Sequence, residues 1–303
     1  MKRVLLTGAT GFVGRHCLPT LLMKSYEVHA VSSRLRPGRA PDVRWHEADL
    51  LDPVQSSKLM EKIRPTHLLH LAWYTVPGKY WTSPENVRWL QASLELLRLF
   101  VQRGGRRAVL AGTCAEYDWR YGYCSEAVTP IRPATLYGTC KHSLQLAANA
   151  LAEEAGLSAA WGRVFFLYGP HEYPERLVPS VILRMIRGER VPCSHAAQIR
   201  DFLYVEDIAD AFVALLESDA RGAINIGSGR PVSLRDVIHK IADRLNGHEL
   251  VDFGVLPAAG EPPLLLADVS RLAKEVGWLP RYSLDEGIER AVEWWKSRVQ
   301  NEG

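Results

Sequence analysis

Arg3-Val-Leu-Leu-Thr7, followed at once by Gly8-Ala-Thr-Gly11-Phe-Val-Gly14, decides the fold. The first five residues read as a short buried strand, and the segment Phe12–Lys24 reads as a helix. Glycines hold the first, fourth and seventh places of the connecting stretch. Their missing Cβ permits the tight turn, the close approach of a pyrophosphate, and close packing of helix on strand. The helix N-terminus offers free N–H groups and a partial positive charge to phosphates. This assigns Gly8, Thr10, Gly11, Phe12, Val13 and Gly14 to a dinucleotide. The competing reading is a glycine-rich turn in a parallel sheet without a ligand.

Outward from this turn, short apolar runs alternate with amphipathic stretches. Strands are predicted at Glu27–Ser32, Val43–His46, His67–Ala72, Arg107–Gly112 and Ala159–Phe165. Helices are predicted at Pro53–Lys62, Glu85–Gln102 and Ala134–Ala155. The alternation implies an α/β chain with a Rossmann-type doubly wound parallel sheet. After Tyr168-Gly-Pro170, prolines break up the pattern. Helices are predicted there at Val178–Arg187, Val205–Glu217, Ser233–Leu245, Ser270–Val276 and Ser283–Arg298. This half reads as a smaller mixed α/β C-terminal domain over the open end of the sheet. The expected division is residues 1–166 plus 201–224 for the dinucleotide domain, and 167–200 plus 225–303 for the substrate domain.

Composition narrows the partners. A length of 303 residues with 47% hydrophobic content supports a large core. The net charge of +3 is spread without a basic stripe, so nucleic acid is not an expected partner. The five cysteines (Cys17, Cys114, Cys124, Cys140 and Cys193) form no C-x-x-C pair, which favours reduced thiols. The histidines show no paired ligand spacing, so no metal is expected. Val4-Leu5-Leu6 is too short for a signal peptide, and no run reaches the length of a membrane span. The expectation is a soluble, cytoplasmic protein without a membrane partner.

The end of the second strand bears on the cofactor. An NAD site usually places an acid there for the ribose 2′-OH. This chain has Val31-Ser32-Ser33-Arg34. The two hydroxyls suit a 2′-phosphate, and Arg34 can pair with it. NADP(H) is favoured, with NAD(H) possible. The alternative is that Arg34 and Arg36 are solvated loop charges. Asp49-Leu50 is placed to meet the adenine end, and Leu71-Ala72 the pyrophosphate and ribose.

Tyr137-Gly-Thr-Cys-Lys141 puts a phenol and an amine four residues apart on one helical face. An ammonium that close favours the phenolate and lowers the Tyr137 pKa, making it a candidate proton donor or acceptor. Thr113 lies 24 residues earlier, at the end of the fifth predicted strand.

Gly8-x-x-Gly11-x-x-Gly14, Thr113…Tyr137-x-x-x-Lys141 and Tyr168-Gly-Pro170 together resemble the extended short-chain dehydrogenase/reductase family. The likeness continues through Arg200-Asp-Phe-Leu-Tyr-Val-Glu-Asp207, Asn225-Ile-Gly-Ser-Gly229 and Gly277-Trp278. Within it, the C-terminal half is similar to nucleotide-sugar enzymes of the CDP-4-keto-6-deoxyglucose reductase (paratose or abequose synthase-like) branch. The resemblance implies hydride transfer between a nicotinamide and a sugar carbon. Tyr137 would move the proton, Lys141 would bind the nicotinamide ribose, and Thr113 would polarise the substrate oxygen. It places Phe165 at the cofactor, and Trp73, Tyr74, Thr113, Cys114, Val178 and Arg200 at a nucleotide-sugar substrate. It also implies a homodimer built on the Glu85–Gln102 and Ala134–Ala155 helices.

Family members that dehydrate sugars carry an Asp-Glu pair just after this Thr. Here Cys114-Ala115 stand there, and Glu116, one residue late, is expected to face away. An NADPH-dependent 4-ketoreductase of a 4-keto-6-deoxyhexose is therefore favoured. An NDP-sugar 4-epimerase with bound NAD, and a non-catalytic NADP-binding regulator, stay open. Two positions depart from the family: Trp89 where an Asn is usual, and Glu261-Pro-Pro-Leu-Leu-Leu266 where a phosphate-binding Arg is usual. The aromatic loop of Trp73, Tyr74, Tyr80 and Trp81 reads either as a sugar platform or as packing for the second domain. Arg200 reads either as a diphosphate partner or as an ion pair with Asp201 or Asp207.

Overall fold

Strand β1 (Arg3–Thr7) is apolar on both faces, and Val4, Leu5 and Leu6 are all 0% exposed. A strand buried on both sides needs helices above and below it, which parallel crossovers supply. The computed structural model describes residues 2–34, 41–257 and 260–302 and has this arrangement. The strands that follow are β2 (Glu27–Ser32), β3 (Arg44–Glu47), β4 (His67–His70), β5 (Arg107–Thr113), β6 (Tyr123–Cys124) and β7 (Ser158–Val164). The second half adds β8 (Phe166–Tyr168), β9 (Val191–Pro192), β10 (Ile199–Tyr204), β11 (Gly222–Ile226), β12 (Pro231–Ser233), β13 (Val251–Asp252) and β14 (Leu264–Ala267). The helices are α1 (Gly14–Met23), α2 (Pro53–Ile63), α3 (Glu85–Gln102), α4 (Leu136–Glu154) and α5 (Leu177–Ile186). They continue with α6 (Val205–Glu217), α7 (Leu234–Leu245), α8 (Ser270–Lys274) and α9 (Leu284–Glu302).

Seven strands form one parallel sheet in the order β11-β7-β5-β4-β1-β2-β3. Helices α1 and α6 cover one face, where Leu21 and Phe212 pack with Leu6 and Val28. Helices α2, α3 and α4 cover the other, where Phe100, Leu144 and Trp161 pack with Leu5 and Leu68. The strand order reverses between β1 and β4, and ligands bind at the carboxyl ends of strands at such a reversal. A second sheet, β12-β10-β14-β6, carries β8 beside β10. Its helices α5, α7 and α9 enclose a separate core that includes Ile182, Ile241, Ile288 and Trp295.

The expected α/β architecture is present, and the differences have local causes. Helix α1 begins at Gly14, not Phe12, because the turn is still closing, with Gly11 N donating to Gly8 O at 2.9 Å. Strand β4 ends at His70, not Ala72, because the Leu71 and Ala72 N–H groups both turn to Thr7 Oγ1 at 3.1 Å. Residues 201–204 pair in the second sheet, whereas the expected division put them with the first. Strand β11 carries the first sheet on to Ile226, past the expected boundary at 224. Val178, expected at the substrate, is 2% exposed in the core of the second sheet's helices. It lies on the apolar face of α5, so its role is packing.

One buried acid has a thermodynamic consequence. Glu172 is 8% exposed, and its Oε2 has no hydrogen-bond partner among the described residues. Burial pushes its carboxyl up to about 8, with Arg176 pulling the other way. Between its ordinary value and about 8, the folded chain keeps a proton that the unfolded chain releases. This contribution therefore destabilises the fold progressively as pH rises through that window. Glu172→Gln is expected to match the parent near pH 4. Above that it gains on the parent by up to about 1.4 kcal/mol per pH unit until pH 8, as read by urea denaturation. A constant difference across that range would contradict the buried-acid reading.

Candidate active site

The crevice between β1 and β4 is shaped by missing side chains. Gly8 has φ +67°, and a Cβ there would sit 2.9 Å from Ala72 N. A Cβ on Gly14 would meet Gly8 O at 2.2 Å. Val13, just before α1, makes no side-chain cap, and Arg15 N and His16 N turn back to Gly11 O and Val13 O, so the positive end of the α1 dipole faces this turn. Thr7, His70 and Ser93 brace the crevice, with Thr7 Oγ1 to His70 Nδ1 and His70 Nε2 to Ser93 Oγ both at 2.8 Å. At the end of β2, Ser33 and Arg34 are exposed and Ser32 is half-buried. Asp49 is exposed beside buried Leu50, and its Oδ1 accepts from Leu51 N at 3.0 Å. Arg36 lies outside the described residues. Thr10 is exposed, Phe12 is half-buried, and Phe165 is buried against Cys114 and Tyr117.

Helix α4 delivers Tyr137 and Lys141. Thr135 Oγ1 caps it through Gly138 N at 3.1 Å, and Tyr137 N donates to Trp81 O at 3.1 Å. A Cβ on Gly138 would meet Ala115 O at 2.4 Å, so a glycine there brings α4 against the end of β5. Thr113 closes β5, near enough to Tyr137 for its hydroxyl to act on the phenol pKa. Thr113 Oγ1 also accepts from Ala115 N at 3.2 Å, so it caps the turn as well. Lys141 Nζ donates to Ala111 O at 2.8 Å and lies 3.8 Å from the centre of the Trp73 ring.

The electrostatics correct one expectation. Lys141 does not hold the phenol below its ordinary value. Burial dominates and pushes Tyr137 up, against the hydrogen bond from Thr113. Burial also lowers Lys141 to about 7, with Glu116 pulling it back up. Both groups are under 10% exposed, so neither charged form is well solvated. Tyr137 rests as a neutral phenol, the form that can give a proton.

Glu116 does not face solvent. It is 0% exposed and accepts from Thr113 N at 2.8 Å, Trp161 Nε1 at 2.9 Å and Arg163 Nε at 2.8 Å. Arg163 also donates to Gln145 Oε1 of α4 at 2.8 Å. With all these partners, Glu116 anchors the backbone beneath Thr113. Cys114 is 7% exposed, and burial pushes its thiol up. Sequence reasoning missed the Glu116 anchor. Its signal was Arg163, two residues from Trp161 on a buried strand, where a cation requires a carboxylate.

The aromatic loop after β4 packs on Tyr137. Tyr80 meets the Tyr137 ring edge-on at 4.9 Å, and Trp81 does so at 5.8 Å. Trp119 Nε1 bonds Cys114 O at 2.8 Å and reaches Trp81 at 6.1 Å. Tyr74 joins the same cluster. Arg200 pairs with neither Asp201 nor Asp207. It is 2% exposed and bonds Ile199 O and Pro262 O at 2.9 Å and Glu261 Oε2 at 2.8 Å. Asp201 instead receives the N–H groups of Ser228, Gly229 and Ala267, and Asp207 those of Arg281 and Tyr282. Among the described residues no group of His, Cys, Asp or Glu could hold a metal, and no helix is long and apolar enough to cross a membrane.

Glu116→Gln strands Arg163 in the interior and is expected to cost about 3–5 kcal/mol in denaturant unfolding, because a buried charge is left uncompensated. Glu116→Leu combined with Arg163→Met removes both charges and is expected to recover much of that loss.

The sequence matches the NAD dependent epimerase/dehydratase family over residues 4–227. UDP-glucuronic acid decarboxylase 1 of Xenopus tropicalis is 26% identical over 321 residues, covering 99% of this chain and 74% of that protein. CDP-abequose synthase of Salmonella muenchen is 22% identical over 298 residues, covering 96% and 97%. The solved structure of UDP-glucose 4-epimerase from Thermus thermophilus, a complex with NAD, has a TM-score of 0.82 at 25% identity, covering 97% of this chain and 99% of that one. With the strand-turn-helix cradle, the Thr113–Tyr137–Lys141 set and a match over more than half its length, this chain belongs to the NAD-dependent epimerase/dehydratase family.

Proposed function

We propose that this chain is an NADPH-dependent reductase of a nucleotide-linked 4-keto-6-deoxyhexose. One observation carries the reading: the neutral Tyr137 phenol lies beside Thr113, and among the described residues the carboxyl in the turn after Thr113 is already paired. Cys114 and Ala115 hold the two places after Thr113, and the Glu116 carboxylate is spent on Arg163, Trp161 and Thr113 N. The residues fit a dinucleotide, because side chains on Gly8 or Gly14 would fill its cradle. When bound, the nicotinamide supplies a hydride to the carbonyl carbon.

The chain's own residues do the rest. In this reading the Thr113 hydroxyl and the Tyr137 phenol share one substrate oxygen. As the carbonyl becomes an alkoxide, Tyr137 gives it a proton. Lys141 beside it stabilises the phenolate that is left. Tyr80, Trp81 and Trp119 keep water from the exchange and offer flat faces to a sugar ring. Ser32, Ser33 and Arg34 support NADPH over NADH, since guanidinium and hydroxyls suit a 2′-phosphate. Exposed Val87 on α3 and Leu136 and Leu146 on α4 support a homodimer through these helices.

The UDP-glucose 4-epimerase among the solved structures supports a second reading, in which the same Tyr137 oxidises and re-reduces a sugar on retained NAD. Purified protein that isomerises an NDP-sugar without added cofactor would establish it.

Tyr137→Phe is expected to cut turnover of CDP-, dTDP-, GDP- or UDP-linked 4-keto-6-deoxy sugars by about 10²–10⁴-fold. NADPH affinity, read by fluorescence titration, should stay unchanged. Near-normal turnover in that variant would remove Tyr137 from the proton step. Arg34→Ala is expected to raise the KM for NADPH by about 10-fold or more, the worth of a charge-assisted contact, and to leave the KM for NADH alone.

A further inference from the structure

Lys141 is a buried cation whose protein partners are few. Among the described residues its nitrogen has one hydrogen bond, to Ala111 O at 2.8 Å. The carboxylate that faces it, Glu116 in the turn after β5, is already paired with Arg163 of β7. His70 of β4 faces it as a neutral ring, since burial pushes that imidazole down to about 3. Tyr137, one turn earlier on α4, is a neutral phenol. What covers the ammonium is carbon: the Trp73 indole lies 3.8 Å from Nζ, and Trp161 lies further off at 6.0 Å.

The Trp73 ring is held in that place. Its Nε1 donates to Asn86 Oδ1 at 2.9 Å. Asn86 is 0% exposed and spends its own amide on Tyr80 O at 2.7 Å and Ser83 O at 2.8 Å. The amide therefore ties the indole, near the start of the loop that packs on Tyr137, to Tyr80 and Ser83 near its end. An indole face attracts a cation, and the attraction is larger where water is excluded. A carboxylate in the same place would bind the ammonium far more strongly and neutralise its field at Tyr137.

We infer that Trp73 is a positioning residue: its indole face, locked by Asn86, favours the ammonium form of Lys141 and holds it against β5, one turn of α4 from Tyr137. The inference rests on the proposed role of Tyr137 and Lys141, but its direct test does not require turnover.

The test is the titration of Lys141 in the full chain, followed by NMR of ¹³C-labelled lysine ε-carbons and assigned with Lys141→Arg. Trp73→Phe and Trp73→Leu both lose the bond to Asn86, so the difference between them reads the ring face alone. The parent should titrate near 7, the value burial leaves it with. Trp73→Leu should titrate about one pH unit lower, because a desolvated cation–π contact is worth roughly that much. Trp73→Phe, with a weaker face, should fall between. The alkaline limb of kcat/KM should move with these values.

Equal titration in Phe and Leu variants, or a Leu variant that titrates with the parent, overturns the inference. If Trp73→Leu does not fold, as judged by circular dichroism, a Phe variant that titrates with the parent overturns it as well. A titration that shifts as described, in protein that turns over no 4-keto sugar, would uphold Trp73 while rejecting the proposed reaction.

Discussion

The buried ion pair between Glu116 and Arg163 holds the carboxyl ends of β5 and β7 to helix α4. Its two carboxylate oxygens reach β5 through Thr113 N, and β7 through Trp161 and Arg163. Arg163 extends the network to α4 through Gln145. Thr113 sits on one arm of this network and Tyr137 on the helix that the other arm fixes. The separation of the two hydroxyl groups is thus set by a charge pair beneath them. Such a pair is a weak source of net stability, because desolvation offsets the attraction. What it supplies is position.

Desolvation also governs the chemistry. A Tyr and a Lys one helical turn apart in water would share a field that lowers the phenol pKa. Here both are buried, the amine is lowered to about 7, and the phenol is raised. The resting pair is therefore a neutral acid beside a weakly held cation. That state suits giving a proton to an oxygen that becomes negative only as hydride arrives. The aromatic enclosure of Tyr80, Trp81 and Trp119 keeps the site in that state by excluding water.

Much of this was legible in the chain. The glycine spacing announced β1, the turn and α1, and a Cβ added at Gly14 or Gly8 would indeed come within 2.2 or 2.9 Å of backbone. Tyr137 and Lys141 were legible because their spacing matches the helical repeat. Other features depend on burial, which a local pattern does not report. Glu116 looked idle because its partners lie 45 and 47 residues away on β7. From sequence Arg200 reads as a diphosphate partner or as an ion pair with nearby Asp201 or Asp207, but its carboxylate, Glu261, is 61 residues distant. The resemblance places Val178 at the substrate, yet the apolar face of α5 turns it inward. The direction of the Tyr137 shift was misread because spacing gives the distance to Lys141 and says nothing of the water removed.

The central claim is that Tyr137 serves a net reduction, with one hydride crossing once. Incubating the enzyme with NADPH dideuterated at C4 and a nucleotide-linked 4-keto-6-deoxyhexose tests this most directly. The account expects one deuterium at C4 of every product sugar and one NADP⁺ formed per product. Product that forms without deuterium and without oxidation of the added cofactor would contradict it, and would point to a hydride returned to the sugar from which it came.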